Sequence, residues 1–457
     1  MNGSKFGRMG AAGRRAILTG AAATFGAVLM PVPVNGQALS DPASLKRGRN
    51  RPLHFRAWER YPASEIPGLN RFLDQNRDIS IEWASVPFAR YRERLIAEFT
   101  ANSPLDVVQV PETEFAAWVD SEWLEPLDTI DGVRDIIRAA TPAAQEAVTA
   151  ADGRIYAIPL LSDAFGLAYD REALAAAGFE RPARTLDELR LQMQAMKRAG
   201  IADFPLSLAM RRQPGQFWSL WATLYASGGD MFNTAGEPVF DRADNPLKAI
   251  LEWYVAAIND WRIVGLDDLQ RDWGVSRTGI RSGTIKVGYM AQFAMTEFNV
   301  QPDSAVTGRI RMALVPGLQP ESKFSVGYAH SVGIARRSRE KAVAWRVLDH
   351  FAGKGVDGTW RMTRERAMDQ GGRCPYPRVY DDPELTALID RITVGDKADF
   401  LRLSEIARTR QGLKAIWYPE WELFMMGQFQ DALTRRISVD AAIRASANEA
   451  RRLARRR

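Results

Sequence analysis

The 457-residue chain holds one cysteine, Cys374, and three histidines, His54, His330 and His350. A single thiol excludes an internal disulfide and a zinc site built from several cysteines. The histidines lie far apart and none falls in a paired metal-ligand spacing, so neither a metal nor any other cofactor is expected. No run of roughly 18 or more apolar residues occurs, which leaves nothing to span a bilayer once an export signal is removed. There is no Walker loop, no nucleophile elbow and no internal repeat. A basic patch with interleaved aromatics is missing from the body of the chain, which argues against nucleic acid as a partner.

What is present is bulk. With 46% apolar residues the chain can bury a large core, and it exceeds the length at which one core usually divides. Two domains are therefore expected. Residues 1–38 stand apart: Arg14 and Arg15 precede an uncharged stretch from Ala16 to Pro31, and Gly36-Gln37-Ala38 offers the small residues of a cleavage site. This pattern predicts a twin-arginine export signal and a periplasmic location, with a retained membrane anchor as the alternative. Removing the segment takes away Lys5, Arg8, Arg14 and Arg15 and no acid, and the formal charge falls from +6 to +2. Residues 39–50 read as a polar linker and residues 451–457 as a basic, solvated tail.

From Leu53 the pattern becomes regular. Leu53 to Trp58 reads as a strand; Ile66, Leu69, Phe72 and Leu73 recur at helical spacing; Ile79, Ile81 and Trp83 alternate as a strand. Tyr91, Leu95, Ile96 and Phe99 mark a second helix, and Asp106 to Val110 is a buried-type strand. This order predicts an α/β unit with a largely parallel sheet, in which ligands collect beyond the carboxyl ends of the strands. Two such ends are Trp58-Glu59-Arg60 and Pro111-Glu112-Thr113-Glu114, read as aromatic and acidic loop tips suited to a hydroxylated or cationic ligand.

The stretch Ala157 to Asp170 contains two apolar runs, Ala157–Leu161 and Phe165–Tyr169, interrupted by Ser162 and Asp163 without room for a hairpin. The expectation is that the chain leaves one sheet and enters another there, with Asp163 at a cleft. Gly327-Tyr328-Ala329-His330 reads as a second crossing of the same kind. Thr185-Leu186-Asp187-Glu188 is a capping box, and Phe204 to Ala209 a strand. Trp218 and Trp221 lie three apart on one helical face, either as core or as a stacking platform. Ile416-Trp417-Tyr418-Pro419-Glu420-Trp421 gathers three aromatics around a proline at a helix entrance.

Taken in order, these segments resemble the bacterial extracellular solute-binding proteins of carbohydrate ABC transporters, the group that includes maltose-binding protein. The likeness rests on Leu105-Asp106-Val107-Val108, Trp123-Leu124-Glu125-Pro126-Leu127, Tyr156-Ala157-Ile158-Pro159 and Leu167-Ala168-Tyr169-Asp170. It continues through Thr185-Leu186-Asp187-Glu188-Leu189, Gly283 to Met290, Val315-Pro316-Gly317 and Gly327 to Ile334. The resemblance implies a type II periplasmic-binding-protein fold, two α/β lobes joined by three crossings, closing on a ligand by a hinge. It puts one lobe at residues 51–160 plus 329–383 and the other at 161–328 plus 384–450. By position it directs Trp58, Glu59, Arg60, Glu112, Thr113, Glu114, Asp163, Trp218, Phe293, Tyr328, Trp417, Tyr418 and Trp421 toward the cleft. Its implied partners are a small solute, most simply a carbohydrate, and the permease subunits of a transporter, with the chain itself a monomer without catalytic residues. Aromatic rings stack on the apolar faces of sugars, and carboxylates and arginines bond their hydroxyls.

Two other readings use the same residues. Glu59, Glu112, Glu114 and Asp163 would suit a cationic solute such as a polyamine or amino-sugar, caged by tryptophans. Two of them at roughly 5–9.5 Å would also serve an exported glycoside hydrolase.

Overall fold

The computed structural model describes residues 51–58, 66–355 and 358–456. Residues 1–50, where an export signal and a linker are expected, lie outside the described residues, as do Glu59 and Arg60. The first unit is built as its periodicity requires. β1 (Leu53–Ala57) is followed by the helix Ile66–Gln75, β2 (Ile81–Ser85), the helix Phe88–Thr100 and β3 (Val107–Val110). β1 lies between β2 and β3 and runs parallel to both. Val107, Val108 and Val110 are fully buried, as expected of a strand covered on both faces, and Phe55 stacks on Trp83 at 4.0 Å.

β4 (Ile158–Asp170) departs from expectation in one respect: it is a single 13-residue strand, unbroken at Ser162 and Asp163. It nevertheless changes partners. With β5 (Leu206–Ser207), β6 (Val287–Ala291), β7 (Ile310–Ala313) and β8 (Ser325–Ile334) defined, the half from Ile158 to Ala164 pairs antiparallel with β8. Phe165 to Tyr169 pairs with β6, and Leu167 to Asp170 with β7. β8 mirrors this passage, running from β4 to β3, and takes β9 (Ala407–Arg408) at Ser325 and Val326. The resulting order is β2-β1-β3-β8-β4-β6-β5. Ser162 and Asp163 stay in the strand because protein groups satisfy them: Ser162 Oγ donates to the Cys374 carbonyl at 3.1 Å, and Asp163 accepts backbone amides.

The apolar side chains form two clusters, and β4 belongs to both. Phe165, Leu167 and Tyr169 enter the second cluster, while Ala164 and Ala168 face the first, the two-residue alternation of a strand buried on both sides. Gly166 permits this sandwich, since a Cβ there would stand 2.5 Å from Leu403 Cδ1 and 2.8 Å from Met312 Cγ. The helices Trp218–Ala226, Leu247–Asn259, Tyr418–Leu433 and Val439–Ala454 supply about half of the second cluster. The structure is a two-lobed periplasmic-binding-protein fold.

Local signals account for several helix ends. Thr185 Oγ1 accepts the Glu188 amide at 3.1 Å, but the return arm of the capping box shifts by one residue, Glu188 accepting from the Arg184 amide at 2.8 Å. Arg181 grips the same carboxylate, and hydrogen bonding holds Glu188 down to about 2. The strand expected over Phe204–Ala209 shortens to β5, because the amides of Leu208 and Ala209 turn to the Asp268 carboxylate. No helix of the described residues is long and apolar enough to cross a membrane.

Candidate functional site

The site forms where β4 and β8 pass between the two halves of the sheet. Their side chains and the neighbouring loops line up rings in succession. Trp58, at the end of β1, meets His330 edge to face at 5.1 Å; His330 lies 5.5 Å from Tyr328, and Tyr328 lies 5.7 Å from Trp218. Trp218 is backed by Phe165, stacked at 4.5 Å. Trp58, Tyr328 and Trp218 are each half-buried, so part of each ring is open to solvent. The two tryptophans of the helix Trp218–Ala226 thus divide: Trp221 is buried in the second cluster, while Trp218 belongs to the wall.

Asp163 lies beneath this wall with its side chain fully enclosed. Its Oδ1 accepts from the amides of Ala164 at 2.9 Å and Gln292 at 2.8 Å. Its Oδ2 accepts from Arg373 Nε at 3.0 Å and from the Tyr328 hydroxyl at 3.4 Å. Burial pushes this carboxyl upward, while Arg373 and the amides pull the other way. Arg373 is thereby fixed, with Nη2 donating to the Tyr328 hydroxyl at 2.6 Å and its guanidinium carbon 4.3 Å from the Phe293 ring. The expectation of Asp163 as a direct ligand acceptor is revised: both oxygens are engaged by protein donors, and Arg373 and Tyr328 stand above them.

A second charged knot flanks Trp218. Arg410, with 1% of its side chain exposed, donates to Glu422 at 2.7 Å and to Glu112 at 2.8 Å. Its guanidinium carbon sits 4.5 Å from the Trp218 ring. Burial works against the Arg410 charge, but Tyr418, Glu422 and Glu112 more than offset it and hold the group firmly protonated. Burial raises the Glu112 carboxyl above its usual range, with Arg410 opposing. Glu112 is no loop tip: it opens the helix Glu112–Asp120, immediately after β3, with Pro111 as the N-cap residue.

The remaining expected residues separate from this cluster. Glu114 is buried and paired with Arg92 at 2.8 Å, and Thr113 is half-buried in the same helical turn. Trp417 packs on Phe232 at 5.6 Å. Tyr418 and Trp421 are fully buried, Trp421 donating from Nε1 to the Ser446 carbonyl at 2.9 Å; they are core and not cleft, because Pro419 starts a helix whose first turn faces inward. Sequence reasoning missed Arg373, Arg410, Glu422 and Trp273, which packs against Phe293 at 5.8 Å. Each acquires its place from partners far along the chain, and no local pattern marks it.

The carboxylates described here carry guanidinium partners: Asp163 with Arg373, Glu112 with Arg410, Glu114 with Arg92. Each of these three carboxylates is thus paired, which lowers the negative charge available to a cation cage, although Glu422 shares Arg410 with Glu112. Half-buried rings beside fixed charged hydrogen-bonding groups, set between two lobes, define a binding protein for a small solute. The chain belongs to the bacterial extracellular solute-binding protein family, whose sequence profile matches residues 59–357. It is similar to a binding protein of Brucella abortus (strain 2308), 20% identical over 287 residues. That alignment covers 61% of this chain and 66% of the relative, just under two thirds of its length. Among solved structures, the maltose-bound MalE3 of T. maritima is 22% identical, with 88% of this chain and 100% of that chain covered and a TM-score of 0.70. The sugar-binding protein MalE of Xanthomonas citri is 18% identical, with 88% and 98% covered and a TM-score of 0.71. At these identities the likeness establishes the fold.

Proposed function

We propose that this chain captures a neutral saccharide between its lobes and delivers it, without turnover, to the permease of an ABC transporter. The observation that carries the reading is the run of half-buried rings from Trp58 through Tyr328 to Trp218, flanked by Arg373 and Arg410. Rings of this kind match the apolar faces of pyranoses, each contact worth about 1 kcal/mol beyond area burial. The guanidinium groups and carboxylates, already paired with each other, offer charge-assisted hydrogen bonds to a neutral ligand. The maltose and sugar named for the two structural neighbours support the same class.

In this reading residues 51–160 plus 329–383 form one lobe and residues 161–328 plus 384–450 the other, with β4 and β8 as two of the crossings. The protein is exported by the twin-arginine route and works as a monomer in the periplasm. Trp58, Trp218, Phe293, Tyr328 and Glu112 contact the ligand, with Thr113 at the cleft margin, and Asp163 acts through Arg373. The test is a thermal-shift and calorimetric screen against mono-, di- and oligosaccharides and polyamines, since a ligand specific to the folded state raises Tm by mass action. A saccharide that binds with little salt dependence, and whose affinity drops tenfold or more in Trp218→Ala while Tm of the free protein barely moves, supports the reading. Binding of a polyamine that is lost steeply in high salt, or hydrolysis of the saccharide, overturns it.

A further inference from the structure

The helix Val439–Ala454 carries, on the side turned away from the core, a feature that capture of a solute does not use. Ala442, Ile443, Ala447, Ala450 and Leu453 bury one of its faces in the second cluster. The other face is basic: Arg444, Arg451 and Arg455 recur at helical spacing, with Arg452 and Arg456 beside them. Residues 451–457 hold five arginines and no acid. Since residues 39–457 carry a formal charge of +2, the rest of that span is net acidic and the surplus is concentrated here. We propose that this face is an adsorption surface for an anionic phospholipid bilayer, which keeps the protein close to the membrane where a transporter works; the inference goes beyond the capture reading and is independent of the solute.

The arginines are held in place by the fold. Leu453 is buried and pins the last turn, and Arg455 keeps helical backbone angles, φ −83° and ψ −9°. Three acids lie among them: Asp241 holds Arg451 at 2.8 Å, Glu449 accepts from Arg452 Nε at 2.6 Å, and Glu420 lies 3.4 Å from Arg456 and 3.7 Å from Arg452. Arg444 and Arg455 form no ion pair among the described residues. Arg444 lies near Asp440, but that carboxylate accepts its hydrogen bond from Lys248 at 2.8 Å, which with Arg444 holds it below its usual range. Ion pairs as exposed as Arg456 with Glu420 are weak, so headgroup phosphates compete for the paired arginines as well as the free ones. Cations at the end of a helix offset its dipole, which accounts for those in the last turn but not for Arg444, about two turns earlier.

The apolar face of the helix is already used by the core, so nothing on it is left to insert between acyl chains. Adsorption is therefore by charge alone: it requires anionic headgroups and is lost in salt. Each arginine brought to such a surface contributes roughly fivefold in affinity. Duplex nucleic acid is also polyanionic, but residues 439–456 contain no aromatic to interleave with the arginines, and the bilayer is the better match.

The experiment is co-sedimentation with vesicles of phosphatidylglycerol mixed with phosphatidylcholine, and of phosphatidylcholine alone, at low and at high salt. The protein is recovered from the periplasm of an expressing bacterium, so that residues 1–38 are processed as in the cell. Wild type should bind the mixed vesicles about tenfold or more tightly than the neutral ones and be released by salt. Arg444→Gln/Arg455→Gln/Arg456→Gln, folded by unchanged Tm, should lose about tenfold or more of that affinity, while Arg444→Lys/Arg455→Lys/Arg456→Lys should keep it, since a point charge suffices. Equal binding to both kinds of vesicle, retention of binding by the glutamine variant, its loss in the lysine variant, or tighter binding to a duplex oligonucleotide than to the mixed vesicles overturns the proposal. None of these outcomes touches the capture reading, which fails separately if no saccharide binds while vesicle adsorption is intact.

Discussion

The two charged knots at the site are inverse constructions. At Asp163 an anion is the centre: one carboxylate gathers amides from β4 and the end of β6, a phenol from β8 and a guanidinium from the loop at Arg373. At Arg410 a cation is the centre, and two carboxylates, Glu112 and Glu422, share it. Most donors of the first knot are backbone amides, those of Ala164, Gln292 and, at 3.4 Å, Phe293, all bonded to the Asp163 carboxylate. The second rests mainly on side chains, with the Gly215 amide donating to Glu422 at 3.1 Å, and its carboxylates outnumber its guanidinium. The first knot is a fixed anchor under the wall; the second is a balance of charges beside it.

Asp163→Ala should show the largest effect. It leaves Arg373, 13% exposed, without its carboxylate partner and takes one acceptor from the amides of Ala164 and Gln292, which keep Gln292 Oε1 and the Ala164 carbonyl, a change expected to cost about 3–5 kcal/mol. Chemical denaturation reads the loss, and affinity should fall with it, because Arg373 and Tyr328 lose their fixed positions. Asp163→Asn, which can still accept both amides, should fall between the two. A melting curve left intact in Asp163→Ala would show that the amides alone hold the crossing and would return the aspartate to a direct ligand role.

Arg410→Met tests the balance. Removing the shared cation leaves Glu112 and Glu422 repelling each other in a buried place, and the loss should be about 2–4 kcal/mol at pH 8. The sign of its pH dependence follows from Glu112, whose folded pKa burial raises above the unfolded value. An acid raised in this way destabilises when ionised and ceases to do so once protonated, so the penalty should shrink as pH falls toward 5. Denaturation of the variant at both pH values checks this, and Arg410→Met/Glu112→Gln should recover much of the loss without acid. An equal penalty at both pH values would mean that lost packing on Trp218, and not charge, is what Arg410 contributes.

The contrast also explains what could be read from the sequence. Asp163 was legible because its neighbours are: two apolar runs of strand length flank it, and a strand changing partners needs only local pattern to be noticed. The βαβ order of the first unit and the helix cap at Thr185 are local in the same sense, and they stand where expected. Arg410 was not legible, since its meaning comes from Glu112, 298 residues away, and from Trp218. The run from Trp417 to Trp421 shows the opposite error. Three aromatics around a proline suit a cleft and a core equally in composition, and the inward turn of the helix assigns Tyr418 and Trp421 to the core.

Asp230 extends the comparison to a carboxylate held by neutral donors. It accepts from the Met231 amide at 2.7 Å and the Tyr225 hydroxyl at 3.4 Å, and the same hydroxyl lies 3.0 Å from the Thr409 carbonyl, next to Arg410. Burial pushes its carboxyl up to about 6, with the amides and the charge of Arg408 opposing. Because the folded value exceeds the unfolded one, the ionised form opposes folding: the penalty is absent below about pH 4, grows through pH 6 and is complete above it. Asp230→Asn keeps an acceptor for the Met231 amide and removes the charge. It should therefore stabilise the protein by about 1–3 kcal/mol at pH 8, have little effect at pH 4, and flatten the pH dependence between them. Denaturation of wild type and variant across that range measures the difference, and a variant less stable than wild type at pH 8 would mean that hydrogen bonding to Tyr225 outweighs the cost of the buried charge.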